Sequence, residues 1–406
     1  MTAAGAWSYF LSPQGALWWR DHLQWDAVWH LSIALDGYGL NPKTYAFPPG
    51  FGWVLRFFAE LEIQARMLWS GQSLDELWRQ RAFDEREISL RWAALLNMGF
   101  FFLGNTLATR LISARFKFDP GRVLTACLAN PFAYFAMLAY ADPLYHLLFW
   151  LSLTCWFAMS PQAEAWGFPP RGELSRRRVI LTRCGLSLSF FLAPWVRLNA
   201  YSLFGLVAGT QIFRRVAKEA PEPSSGKLSS RFPGVEIFAL AVSAAAFLIF
   251  NWAKTERPFF FLLAQRVYGM PEGNFWDGLT RASGILLEGL SGDAWISTEI
   301  FLHWFSFGVL PLFFLTILLA LTLQLLRHRE LAFAAVVALH VLITHNQAIW
   351  RSTPRYAFPL IALALVLLIL PPKSRGRRML FALGLGLGWA MQVGYYATFR
   401  VGGWGF

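Results

Sequence analysis

Apolar stretches of about 15 to 24 residues recur from residue 89 to near the C-terminus, and a bilayer core is crossed by about 20 helical residues. That recurrence limits the chain to a helical membrane architecture more strictly than any motif does. The stretches at 89–110, 121–139, 143–160, 179–195, 199–213, 234–252, 304–326, 331–347, 357–371 and 379–397 read as ten spans. Two of them, 199–213 and 357–371, are short, and need tilt, flanking residues or partial burial in protein to cross. With 56% apolar, 17% aromatic and 15% charged residues, the chain is too apolar for a soluble domain of its length. The expected fold class is all-α and polytopic.

Charge sorts the connections between these stretches. Arg110, Arg115, Lys117 and Arg122 follow the first; Arg171, Arg176, Arg177, Arg178 and Arg183 precede or open the fourth; Arg214, Arg215, Lys218, Lys227 and Arg231 precede the sixth. Arg327 and Arg329 precede the eighth, and Lys373, Arg375, Arg377 and Arg378 the tenth. Every second connection is basic, which the positive-inside rule assigns to the cytoplasm. The alternate connections, 140–142, 196–198, 253–303 and 348–356, are short or acidic and are expected on the other face. This clustering accounts for the formal net charge of +12 without nucleic acid. Cys127, Cys155 and Cys184 all fall inside apolar stretches with no metal-type spacing, and read as small core residues.

The alternation places residues 1–88 on the non-cytoplasmic side as a first segment, ahead of a transmembrane domain at 89–406 with a large outer loop at 253–303. Residues 6–19 are short, interrupted by Ser12, Pro13 and Gln14, and lack a basic signal-peptide flank. The expectation is an upstream membrane helix not contained in this sequence, or a re-entrant or interfacial helix at 6–19. On the same outer face fall Asp26, Asp36, Asp142, Arg197 to Asn199, Gln265 and Ser352 to Tyr356. Ionisable groups beside a bilayer are costly and are functional candidates by default.

Asp26 stands between Trp25 and Trp29 on a short amphipathic helix, and shares a helix face with His30. It reads as a general base, against a plain helix-dipole role; His30 reads equally as a tuning group or a packed imidazole. Asp142, followed by Pro143, is an N-cap signal and also a candidate acid partner. Arg355 lies on the side that the charge bias disfavours. It suits two-point recognition of a phosphate, or else snorkels. Arg197 shares that ambiguity. The run Gly384, Gly386, Gly388 sits in an apolar stretch and reads as close helix packing rather than nucleotide binding.

Several blocks then resemble one family. Trp25-Asp26-Ala27, Ile33-Ala34, Gly37-Tyr38 and Ala46-Phe47-Pro48 look like the opening block of the PIG-V-type mannosyltransferases, membrane enzymes of GT-C architecture that include GPI mannosyltransferase 2. Asn130-Pro131 through Tyr140-Ala141-Asp142, Arg197-Leu198-Asn199, Pro258 to Leu262 through Gln265 to Tyr268-Gly269, Pro354-Arg355-Tyr356 and Gly403-Trp404 follow in order. The resemblance implies inverting transfer of a mannosyl or similar residue from a polyprenyl- or dolichyl-phosphate sugar to a hydroxyl of a glycan or glycolipid. It implies Asp26 as base with Asp142 as second acid, Arg355 and Arg197 on the lipid phosphate, and Trp25, Trp29 and Tyr38 as sugar-stacking faces, with His30, Asn199, Gln265 and Tyr356 as further substrate-binding candidates. No cofactor and no metal ligand is assigned from the sequence. The implied setting is a bacterial inner membrane or endoplasmic reticulum membrane, with the site facing periplasm or lumen. The competing class is a transporter or lipid flippase, which usually carries internal repeats and a midplane site; no repeat is visible here.

Overall fold

Prolines and helix-end polar residues decide where the apolar stretches stay continuous. The computed structural model describes residues 26–38, 41–70, 84–159, 163–169, 175–216, 234–267, 273–290, 303–347, 353–369 and 375–400. Within them the chain is helical, with no strand. In order come α1 (Asp26–Leu35), α2 (Gly50–Ser70), α3 (Asp84–Phe116), α4 (Pro120–Leu128), α5 (Asp142–Ala158), α6 (Arg176–Val196), α7 (Phe204–Val216) and α8 (Gly234–Thr255). There follow α9 (Phe260–Val267), α10 (Phe275–Leu290), α11 (Leu310–Arg327), α12 (Leu331–His345), α13 (Thr353–Tyr356), α14 (Ile361–Ile369) and α15 (Arg375–Arg400).

Four helical runs among the described residues are long and apolar enough to cross a membrane: Glu87–Phe116, Arg177–Val196, Gly234–Thr255 and Phe305–Arg327. The chain is therefore a membrane protein by its helices, but the ten continuous spans expected from hydropathy are not all found. Residues 121–139 break after α4, because Pro131 has no N–H to continue a helix and restrains Asn130 before it; the chain turns and resumes as a 3-10 segment, Ala133–Met137. Residues 199–213 divide into a 3-10 segment, Leu198–Leu203, and the 13-residue α7. The ninth stretch contributes only the nine-residue α14, preceded by a buried turn carrying Pro359. α5 and α12 are apolar but have 17 and 15 residues. Broken backbone is tolerated at membrane depth only inside protein or along a cavity. Accordingly Phe132, Phe135, Ala200, Leu203, Phe358 and Leu360 are buried.

The bundle is held by close packing and a few specific polar ties, as expected where lipid offers no hydrophobic contrast. α7 lies so tightly on α12 that a Cβ on Gly205 would stand 2.5 Å from the Val336 amide nitrogen. Of the Gly-rich run in α15, Gly388 makes such an approach, to the Ala129 carbonyl, whereas Gly386 faces open space. Glu62 joins α2 to α3 by accepting from Trp92 Nε1 at 2.7 Å and Arg91 at 3.2 Å. Cys127 and Cys155 are core residues as expected; Cys184 is exposed on α6, which corrects its reading as a packed group.

Candidate functional site

The breaks in the apolar stretches place four charged residues in one buried cluster. Asp26 opens α1. Asp142 opens α5. Arg197 occupies an extended residue, φ −149° and ψ 127°, between the end of α6 and the following 3-10 segment. Arg355 lies on the single turn α13, between Pro354 and the turn at 357–360. Helix ends supply charges that a continuous span would have to bury at its middle.

The four form a chain of alternating sign. Arg355 Nη2 donates to Asp26 Oδ2 at 2.6 Å, and Arg355 Nε stands 3.8 Å from Asp142 Oδ1. Arg197 Nη2 donates to Asp142 Oδ2. Relative exposures are 4% for Asp26, 1% for Asp142, 7% for Arg197 and 2% for Arg355, so water screens none of these interactions well. Two cations and two carboxylates cancel, which is what makes the burial tolerable; removing one member of such a group costs about 3–5 kcal/mol. Aromatic rings enclose the cations: the guanidinium carbon of Arg355 is 5.4 Å from the Tyr140 ring, 5.5 Å from Tyr356 and 5.7 Å from Phe135. Tyr356 also meets Arg197 at 5.4 Å.

Electrostatics set the protonation of α1. Burial alone pushes the Asp26 carboxyl up, but the positive charges of Arg355 and Arg197, with smaller help from the Arg355 hydrogen bond, outweigh it and hold the carboxyl below its usual range. Burial among aromatics does not raise this acid, because it is paired. His30 is pushed down to about 3 by burial and by Arg197, against the weaker opposing pull of Asp26. It is therefore a neutral imidazole near pH 7, edge-on to Phe47 and Phe51 at 5.4 Å each.

Several buried polar atoms of the cluster have no hydrogen-bond partner: Arg355 Nε and Nη1, Arg197 Nε and both ring nitrogens of His30; both side-chain polar atoms of Asn199, two residues after Arg197, are likewise buried and unpartnered. A buried donor or acceptor left without a partner costs about 1–3 kcal/mol. Their gathering around one charged cluster makes it a place where a polar, anionic ligand recovers that cost. Among the described residues no three His, Cys, Asp or Glu side chains gather as a metal group.

Not every sequence candidate joins the cluster. Trp29 packs on Phe47 with ring centroids 6.5 Å apart. Tyr38 donates to the Phe47 carbonyl and packs against Tyr45 and Phe250 at 4.8 and 5.2 Å, in an aromatic group between the α1–α2 connection and α8. Asp36 is exposed at the end of α1. Trp25 lies outside the described residues, and Gln265 is in α9, with its side chain also outside them. Asp142 corrects the N-cap reading: Ala141 precedes the helix, and the carboxylate turns to the arginines instead.

The supporting groups had escaped the sequence reading. Asn97 Nδ2 donates to the carbonyls of Leu138 at 2.5 Å and Tyr140 at 2.9 Å, and Asn130 Nδ2 to that of Phe358 at 2.8 Å. His340 has Nε2 at 2.8 Å from the Tyr356 carbonyl and Nδ1 at 3.4 Å from Ser202 Oγ, so it ties the Arg355 turn to the segment after Arg197. Their only sequence signal is a polar residue amid an apolar run. His340→Phe keeps the ring volume but strands the Tyr356 carbonyl and the Ser202 hydroxyl, and is expected to lower stability by about 1–3 kcal/mol. Thermal unfolding of the purified variant beside the parent checks this; an unchanged midpoint denies His340 its tie.

No family model, no curated protein and no solved structure matches this chain.

Proposed function

We propose that the protein is a membrane glycosyltransferase of GT-C-like architecture, moving a mannosyl or similar residue from a polyprenyl- or dolichyl-phosphate donor to a hydroxyl of a glycan or glycolipid. The observation that carries the reading is the buried Arg355–Arg197 pair with open N–H donors beside an ionised Asp26. Guanidinium N–H groups match the oxygens of a phosphate, and a low-dielectric setting strengthens that contact. The unpartnered Asn199 amide and neutral His30 are suited to sugar hydroxyls, which both donate and accept.

In this mechanism the donor phosphate competes with Asp26 for Arg355. Asp26, relieved of its main partner, becomes a stronger base and takes the proton of the acceptor hydroxyl. The acceptor oxygen forms the new bond to the anomeric carbon as the bond from that carbon to the phosphate oxygen breaks. The departing lipid phosphate keeps the electron pair, and Arg355 and Arg197 offset its charge. Asp142 holds both arginines in place, and inversion follows from attack opposite the leaving group. The alternation of basic connections supports a site on the non-cytoplasmic face, in a bacterial inner membrane or that of the endoplasmic reticulum. Charged groups at helix ends, with no internal repeat in the sequence, favour this reading over a transporter or flippase.

Incubating purified protein with lipid-phosphate mannose, glucose and pentose donors, and a mixture of glycolipid acceptors, tests the reading. Consumption of one donor with release of lipid phosphate is the expected result. If every donor survives in the presence of acceptors, the proposal falls.

A further inference from the structure

A cavity with basic residues in its walls lies at the other end of the bundle. It has a volume of about 340 Å³ and is walled by Arg115, Phe116 and Lys117 at the end of α3, Gln324 of α11, and His328 and Glu330 in the turn before α12. α3 separates it from the charged cluster. Asn97 of α3 bonds the backbone beside Tyr140, and Arg115 lies eighteen residues further on, roughly 27 Å along the axis at 1.5 Å per residue. That is close to the thickness of a bilayer core, about 30 Å. The cavity therefore belongs to the opposite membrane interface, among the basic connections.

Its charges are arranged rather than merely crowded. Glu330, buried at 5% exposure, accepts from Arg115 Nε at 2.5 Å and from Nη2 as well, fixing the guanidinium in the wall and cancelling its charge. Lys117 makes no ion pair among the described residues, and its backbone stands at φ 56°, just past the last residue of α3. His328 Nε2 lies 3.3 Å from the Gln324 amide nitrogen. The ring stands edge-on to Phe116, with centroids 5.7 Å apart. Lys117 and His328 thus line one cavity whose remaining walls, Phe116, Phe118 and Leu367, are apolar.

We propose that this cavity is a second anion site, separate from the Asp26–Arg355 cluster, and that it takes a phosphate group. Phosphate suits a point charge and N–H donors at short range, and basic pockets between membrane helices at a bilayer interface bind anionic headgroups. The same chemistry has two sources, the headgroup of an anionic phospholipid or free phosphate from the aqueous side. The proposal does not depend on sugar transfer.

The test uses the full chain in nanodiscs of neutral phosphatidylcholine, with and without phosphatidylglycerol, and reads bound lipid by native mass spectrometry and stability by thermal unfolding. Inorganic phosphate is titrated in the neutral discs against chloride at equal ionic strength. The variants are Lys117→Asn, since Asn accepts positive φ with little strain, and Lys117→Asn with His328→Gln; neither residue touches the charged cluster. Loss of the Lys117 charge is expected to weaken phosphatidylglycerol binding by about fivefold, and loss of the His328 ring to weaken it further. Stabilisation by phosphatidylglycerol alone, lost in the variants, assigns the site to a lipid headgroup. Stabilisation by inorganic phosphate in neutral discs, lost likewise, assigns it to the free ion. Parent and variants responding alike to both ligands, or a parent that responds no more to them than to phosphatidylcholine and chloride, would overturn the proposal. Should the double variant fail to fold, Lys117→Asn alone decides between these outcomes.

Discussion

Asp26→Asn should lower sugar transfer by about 10²–10⁴-fold, the range a positioned general base contributes, while the protein still folds. The side chain keeps its size and an oxygen that accepts from Arg355, and Arg355 keeps Asp142 at 3.8 Å. The loss of stability should therefore stay below the about 3–5 kcal/mol expected when a buried charge loses every partner. Single-turnover transfer and thermal unfolding, measured on the same preparation, separate the two effects. Turnover at the parent's rate would end the assignment of Asp26 as base. The pH profile carries a second check. In the free protein Asp26 titrates below the usual carboxylate range and His30 at about 3, so neither produces an acid limb around 6.5 in kcat/KM. The carboxylate contributes its stability above its unfolded value and loses it as pH falls through the lower folded value, so stability should decline with acid below the ordinary carboxylate range.

Arg355 carries the second large effect. Arg355→Lys preserves the charge but replaces a planar, multi-donor group by a single ammonium, and charge-assisted hydrogen bonds are worth about 1.5–3 kcal/mol each. The apparent KM for the lipid-phosphate donor should rise by about tenfold to a hundredfold. Arg355→Ala should be worse in both respects, since it leaves Asp26 buried without its 2.6 Å partner and costs about 3–5 kcal/mol of stability. A purely structural arginine would shift the melting midpoint and kcat while leaving the donor KM alone. That split, found in the lysine variant, would pass the phosphate role to Arg197.

Asp26 and Arg355 stand out by chain position alone, and the reason is chemical. A charge beside twenty-residue apolar stretches has a cost that sequence displays openly, so Asp26, Asp142, Arg197 and Arg355 stand out before any fold is known. How they meet was not legible. Their order along the chain says nothing of pairing, and Asp142 read as well as a helix cap as an acid. The aromatic candidates fared less evenly for a related reason: Trp29 and Tyr38 belong to a chain in which tryptophan, tyrosine and phenylalanine make up 17% of residues, so an aromatic next to an acid carries little information. Asn97, Asn130 and His340 were invisible because a single amide or imidazole in an apolar run looks the same whether it ties two backbones or faces a cavity.

Apolar length and the alternation of basic connections, both local and additive along the chain, determined from the sequence by themselves that this is a helical membrane protein and which ionisable residues are costly to place beside its helices. Tertiary structure decided where the stretches break. Hydropathy averages over a window and cannot see that Pro131, the extended Arg197 and the turn through Pro359 interrupt helices, because an interrupted backbone is affordable only when neighbouring helices enclose it. Those enclosed breaks bring Asp26, Arg355, Asp142 and Arg197 into one buried chain of alternating charge, an arrangement that depends on contacts between segments as far apart as residues 26 and 355.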